Sequence, residues 1–283
     1  MISVIRLLPE KKSKHRFPAV KACRRIYQII YSVVLFLFFC SCCASDGITA
    51  DGPGNDYIKL SGQIVTALEK GVVPAAELDL IKTANQEELE KQLCDDARKK
   101  AFWINLYNGF VQLRLKQDVS SSRDKRVFFK DRIFIVAGHA LSLDDIEQGI
   151  LRRPQTKLKP GYPASQLDRS FEEKFGVRAV DYRIHFALNC GARSCPAVTY
   201  YSPAILDEQL DRATRAYLAT ETNYDQNENI INLPELFSWY RADFGYEKGT
   251  RKMLKHYGII GKDEKPEIRF KKFDWTPAPA HFR

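Results

Sequence analysis

His185, Cys190 and Cys195 lie within one short run, Arg183-Ile184-His185-Phe186-Ala187-Leu188-Asn189-Cys190-Gly191-Ala192-Arg193-Ser194-Cys195-Pro196. An imidazole within reach of a thiol is the minimal set for covalent thiol catalysis, because the imidazole removes the proton that makes sulfur a poor nucleophile. A neighbouring guanidinium such as Arg193 further favours the thiolate. Either cysteine is a candidate nucleophile, and Cys195 has the loop length to reach His185. Glu147 and Asp145 are candidate carboxylates for orienting the imidazole. Asn105 is a candidate donor to a substrate carbonyl. A simpler reading competes at each position. Two cysteines this close in sequence, outside the cytoplasm, form a small-loop disulfide, and His185 is then a structural histidine. A metal centre is disfavoured, since two cysteines and one histidine fall short of four ligands. No Gly-rich phosphate loop, HExxH or GxSxG pattern occurs, so no cofactor is expected.

The elements that must position these groups mix helix and strand. Tyr57, Leu60, Ile64 and Leu68 recur at helical spacing, with Gly71 as a stop. Residues 77–93 read as short helices. Residues 95–116 form the strongest helix, apolar on all sides around Asn105 and Asn108 and therefore buried. Asn105, Asn108 and Gln112 share one face of it. Buried amides need partners, so these three either pin a neighbouring loop or point at a ligand. Residues 127–136 read as strand, ending before Gly138. Ser142 and Asp145 form a capping pair that opens a helix. Alternation over 182–188 reads as strand, with Tyr182, Ile184, Phe186 and Leu188 on the core face and His185 on the other. Residues 203–219 and 234–244 read as helices, and 268–273 as a late strand. Trp239, Tyr240 and Trp275 read as core aromatics, and Asp243 and Asp274 as caps or ion-pair partners. With no steady βαβ rhythm, the class is α+β, a single mixed helix/strand domain over residues 56–283.

The net charge of +9 does not mark a nucleic-acid binder. Eight of the bases fall in residues 1–28, which leaves 36 bases against 34 acids over residues 46–283. Behind that basic stretch comes Ile29-Ile30-Tyr31-Ser32-Val33-Val34-Leu35-Phe36-Leu37-Phe38-Phe39, the n-region and apolar run of a signal peptide or signal anchor. Phe39-Cys40-Ser41-Cys42 resembles the lipobox of bacterial lipoproteins, with Cys42 as the residue to be lipidated. Residues 1–45 are thus expected to hold the chain to a membrane by lipid or anchor. Residues 46–55 form a Gly-rich tether, and the domain lies in the cell envelope outside the cytoplasm.

Four blocks taken together resemble the domain-of-unknown-function family DUF547. They are Ala101-Phe102-Trp103-Ile104-Asn105-Leu106-Tyr107-Asn108, the stretch from Ser142 to Arg152, the stretch from Arg183 to Pro196, and Phe237-Ser238-Trp239-Tyr240-Arg241-Ala242-Asp243-Phe244-Gly245. Phe273-Asp274-Trp275 resembles the family's closing Tyr-Asp-Trp. The resemblance spans roughly 55–278, with Gln148 standing where the family often has histidine. It implies a fold unit and a set of positions, not a reaction. Two functions follow for a protein expected in the cell envelope. One is a thiol-dependent hydrolase or acyl transferase using a Cys/His pair. The other is a binding or assembly module stapled by Cys190–Cys195.

Overall fold

A computed structural model describes residues 54–152 and 167–282. The leader and its lipidation candidate Cys42 lie outside the described residues. The described residues form a mixed α+β fold, mostly helical, with two small sheets.

Helix α1 (Tyr57–Glu69) is capped by Asp56, whose side chain accepts from the Lys59 amide at 2.9 Å. Two short helices follow, α2 (Ala75–Lys82) and α3 (Gln86–Gln92). Then comes α4 (Asp96–Gln117), opened by Asp95. Every residue of α4 from Ala101 to Leu115 is buried. It is the axis around which the rest packs, and α1 lies along it. Gly109 permits that approach, because a Cβ there would meet Ile64 Cγ2 at 2.8 Å.

The three amides of α4 hold loops. Asn105 donates to the Tyr201 carbonyl at 2.9 Å and accepts from the Tyr201 amide at 2.9 Å. Asn108 donates to the Ala187 carbonyl at 2.9 Å and accepts from the Asn189 amide at 2.8 Å. Gln112 accepts from the Ala280 amide at 2.9 Å, fixing the C-terminal segment. Replacing Asn108 by alanine leaves a buried carbonyl and a buried amide without a partner. Asn108→Ala should therefore lose about 1–3 kcal/mol in a denaturant titration. An unchanged midpoint would contradict this.

The strand expected from β-branched and aromatic content over 127–136 is strand only at its end, and the one expected from alternation over 182–188 is helical. Residues 127–136 divide into helix α5 (Lys125–Lys130) and strand β1 (Phe134–Val136). The cause is Asp124, whose carboxylate accepts from the Arg126 and Val127 amides at 3.1 and 3.2 Å and so caps a helix. Strand β1 pairs antiparallel with β2 (His139–Leu141) across Ala137-Gly138, both at positive φ as a tight hairpin requires. Residues 182–188 are not a strand. Tyr182–Phe186 is a 3-10 helix whose amides bond locally, Ile184 to the Asp181 carbonyl at 3.1 Å and Ala187 to that of Ile184 at 2.9 Å. Ile184, His185 and Phe186 are all buried, so the two-faced reading of this stretch fails. Ile184 belongs to the cluster around α4 and Phe186 to a second cluster. This turn therefore joins the two parts of the core.

The capping pair holds. The Ser142 amide donates to Asp145 at 2.9 Å and the Asp145 amide to Ser142 Oγ at 3.0 Å. The helix it opens runs as a π-helix over Asp145–Leu151, a rare geometry that is frequent at functional sites. After α6 (Arg169–Phe175) and the 3-10 turn comes α7 (Leu206–Glu221). Strands β3 (Asn223–Asp225), β4 (Ile230–Pro234) and β5 (Glu267–Lys271) form the second sheet, β4 pairing antiparallel with β3 and parallel with β5. The helix expected over 234–244 is only α8 (Leu236–Trp239); turns then carry the chain to Gly245 at φ 72° and on to α9 (Tyr246–His256). Those turns bring Tyr240 and Asp243 to the site.

Candidate functional site

A cleft of about 350 Å³ opens where the two core clusters meet. His185, Glu147, Cys190 and Cys195 all line it, so the sequence candidates from two separate stretches converge. Gln148, Asp144, Tyr107 and Tyr240 also line it, as does an aromatic shelf of Trp239, Phe273 and Trp275. Within the shelf, Trp239 and Trp275 stack with centroids 5.6 Å apart, and Trp239 is 41% exposed. Asn105 is not among the lining residues. Both ends of its amide are used on Tyr201, which corrects its assignment as a carbonyl-polarising group.

The carboxylate that orients the imidazole is Asp243, neither Glu147 nor Asp145. His185 Nε2 lies 2.9 Å from Asp243 Oδ2. Arg152 grips the same carboxylate, Nε to Oδ2 at 2.6 Å and Nη2 to Oδ1 at 3.2 Å. Asp145 is engaged with its cap and with Arg132, at 2.8 and 2.9 Å. Glu147 accepts from Tyr240 Oη at 2.7 Å, Tyr107 Oη at 3.2 Å and Gln148 Nε2 at 2.9 Å. Tyr240 carries much of the site. Its ring stacks on His185 at 3.9 Å and lies 4.6 Å from the Arg152 guanidinium carbon.

The electrostatics fix the protonation of the pair. Burial pushes the His185 pKa below its ordinary value, and the hydrogen bond to Asp243 only partly opposes this. Burial would raise Asp243, but hydrogen bonds from His185 and Arg152 hold it well below the usual carboxylate range. His185 is thus neutral at neutral pH beside an ionised carboxylate. A carboxylate only accepts, so Nε2 carries the proton and Nδ1 is the basic nitrogen. Burial, assisted by Glu147, raises the Asp144 carboxyl from 3.8 to about 6.

The sign of that last shift gives a prediction. The folded state holds the Asp144 proton more tightly than the unfolded chain. Its contribution is full below pH 3.8 and is lost as pH rises through about 6. Relative to Asp144→Asn, the wild-type domain should lose about 1–2 kcal/mol across that window, after allowing for solvent screening at this partly exposed carboxyl. Paired denaturation curves at pH 4 and pH 7 measure the difference, and parallel changes in the two proteins would count against it.

Cys190 and Cys195 form a disulfide. Cys94 is a free cysteine. The closed bridge contradicts a free thiol nucleophile in this state. The Cys195 sulfur also has backbone donors directed at it. Cys195 Sγ accepts from the Cys190 amide at 3.1 Å and from the Ala192 amide at 3.2 Å. Gly191, at φ 84°, turns the chain so that these two amides converge on one point.

Residues 91–218 match the family described as Protein of unknown function, DUF547. This segment is a DUF547 domain. The match is narrower than the resemblance read over 55–278. It contains Glu147, His185, Cys190 and Cys195, whereas Asp243, Tyr240 and the aromatic shelf lie beyond it. The DUF547 segment therefore supplies the imidazole and sulfurs, and the chain that follows supplies the carboxylate and one wall. Neither a curated protein nor a solved structure matches this chain. Sequence reasoning missed the pairing of Asp243 with His185. The available signal is the clustering of Trp239, Tyr240, Arg241 and Asp243 in one block.

Proposed function

We propose that the cleft is the active site of a thiol-dependent hydrolase or acyl transferase, in which the reduced Cys195 is the nucleophile and His185 the base. The observation that carries this reading is the pair of amides directed at Cys195 Sγ, in a cleft shared with a carboxylate-oriented neutral imidazole. Two N–H donors favour a thiolate at that sulfur. His185 Nδ1 takes the thiol proton, and the sulfur forms a bond to the acyl carbon. The leaving group departs with the proton returned from the imidazolium. Water, deprotonated at the same nitrogen, then releases the acyl group. Asp243 keeps the imidazole in the required tautomer, as a positioning residue. Placement of the domain outside the cytoplasm, expected from residues 1–45, suits a bridge that is closed at rest.

The test uses p-nitrophenyl acetate as acyl donor on the full chain in detergent, after reduction with a phosphine. Tryptic mass mapping should find the acetyl group concentrated on Cys195. His185→Ala should slow that acylation by on the order of 10²-fold. Acetyl spread evenly over the chain's cysteines, or a rate indifferent to His185, would reject the thiol enzyme. The second reading, a binding module with a structural staple, is favoured by the closed bridge and by the burial of Cys195, which is 3% exposed.

A further inference from the structure

The two sulfurs of the bridge are not equivalent. Cys195 is buried, and its Sγ accepts from two backbone amides. Cys190 is half-buried on the wall of the cleft, and no hydrogen bond to its Sγ is found among the described residues. When a thiolate attacks a disulfide, the sulfur whose thiolate is more stable leaves. The loop also holds its shape by means other than the bridge. Asn189 Nδ2 donates to the Pro196 carbonyl at 2.6 Å, and its Oδ1 accepts from the Gly191 amide at 2.8 Å. The C-terminal segment is laced to the loop, with the Arg193 amide on the Thr276 carbonyl at 2.9 Å and the Ala278 amide on that of Gly191 at 2.8 Å. Breaking the S–S bond leaves these contacts in place, so both sulfurs stay where they can re-form it.

We infer that the Cys190–Cys195 bridge is a thiol-exchange site of fixed polarity, which a small thiol opens by attacking Sγ of Cys190 and releasing Sγ of Cys195. In the first step the incoming thiolate bonds to Cys190 Sγ, the S–S bond breaks, and its electron pair goes to Cys195, where the Cys190 and Ala192 amides receive the charge. A second thiol then attacks the outer sulfur of the mixed disulfide. It leaves as the oxidised small disulfide, and the Cys190 thiolate takes up a proton. Two small thiols are oxidised by two electrons and the bridge is reduced by two. The exchange stands on the loop geometry alone. It rests on the proposed function only for its consequence, that the released Cys195 becomes a nucleophile.

The experiment exposes the full chain in detergent to reduced glutathione for a short time, then quenches with iodoacetamide and digests with trypsin. Cleavage after Arg193 separates the peptide of Cys190 from that of Cys195. Glutathione is expected on Cys190 and the alkyl group on Cys195, with the opposite pattern about tenfold rarer or less. Glutathione on Cys195, or divided evenly, overturns the inference. So does a bridge that stays closed under glutathione that opens the same bridge in the denatured chain. The expected pattern, followed by failure of p-nitrophenyl acetate to acylate the released Cys195, supports the exchange site and rejects only the proposed function.

Discussion

Asp243→Ala is expected to destabilise the protein by about 3–5 kcal/mol, among the largest losses from any single polar substitution in this fold. The carboxylate is fully buried and meets Arg152 at 2.6 Å and His185 at 2.9 Å. Its removal takes from the buried Arg152 charge the carboxylate that compensates its desolvation. It also leaves His185 Nε2–H unsatisfied. Asp243→Asn should cost less, because the amide oxygen still accepts one of these bonds. Urea titrations of the two variants measure both losses. A cost below about 1 kcal/mol for the alanine variant would mean that water reaches the pair and that the site is less closed than the geometry indicates.

The second large effect is on chemistry. Cys195→Ser in the reduced protein should lower acyl transfer to p-nitrophenyl acetate by on the order of 10³-fold or more, since groups that act as one unit fail together. Cys190→Ser should spare most of that activity and remove its dependence on reductant, because Cys195 can no longer be capped by its neighbour. Equal losses in the two variants would indicate that the loop, not one sulfur, is being damaged.

Much of the scaffold is written locally in the chain. Helix α4 announces itself by an apolar surface on every side, and its three amides are where buried amides must be, on loop backbone. The Ser142/Asp145 cap is a four-residue signal and is found as such. Short elements were less legible. Asp124 and Asp181 each bond amides just after them, which turns β-branched and aromatic stretches into single helical turns. Period-two alternation over 182–188 came from a turn buried on several sides, where side-chain type says little about direction. The site was half legible. His185, Cys190, Cys195 and Glu147 do share a cleft. Asp243 was not identified as the partner of His185, because 58 positions separate the two and nothing local in a sequence signals a pairing made by tertiary packing. The alternatives of free thiols and a disulfide had the same residue types and spacing, and only the distance between sulfurs separates them.

On the proposed function Cys195, once released, is a thiolate supported by two amides and by His185. The most direct measurement is the pH dependence of its alkylation by iodoacetamide in the reduced full chain, read on the Cys195 tryptic peptide. The groups that bear on it include His185, Glu147 and Asp144 in the cleft, and Arg193, whose guanidinium is paired with Asp274 at 3.6 Å. The midpoint is expected well below the free-cysteine value of about 8.5, moving upward in His185→Ala. A midpoint at or above about 8.5, unchanged by that substitution, would contradict it and leave Cys190–Cys195 as a staple.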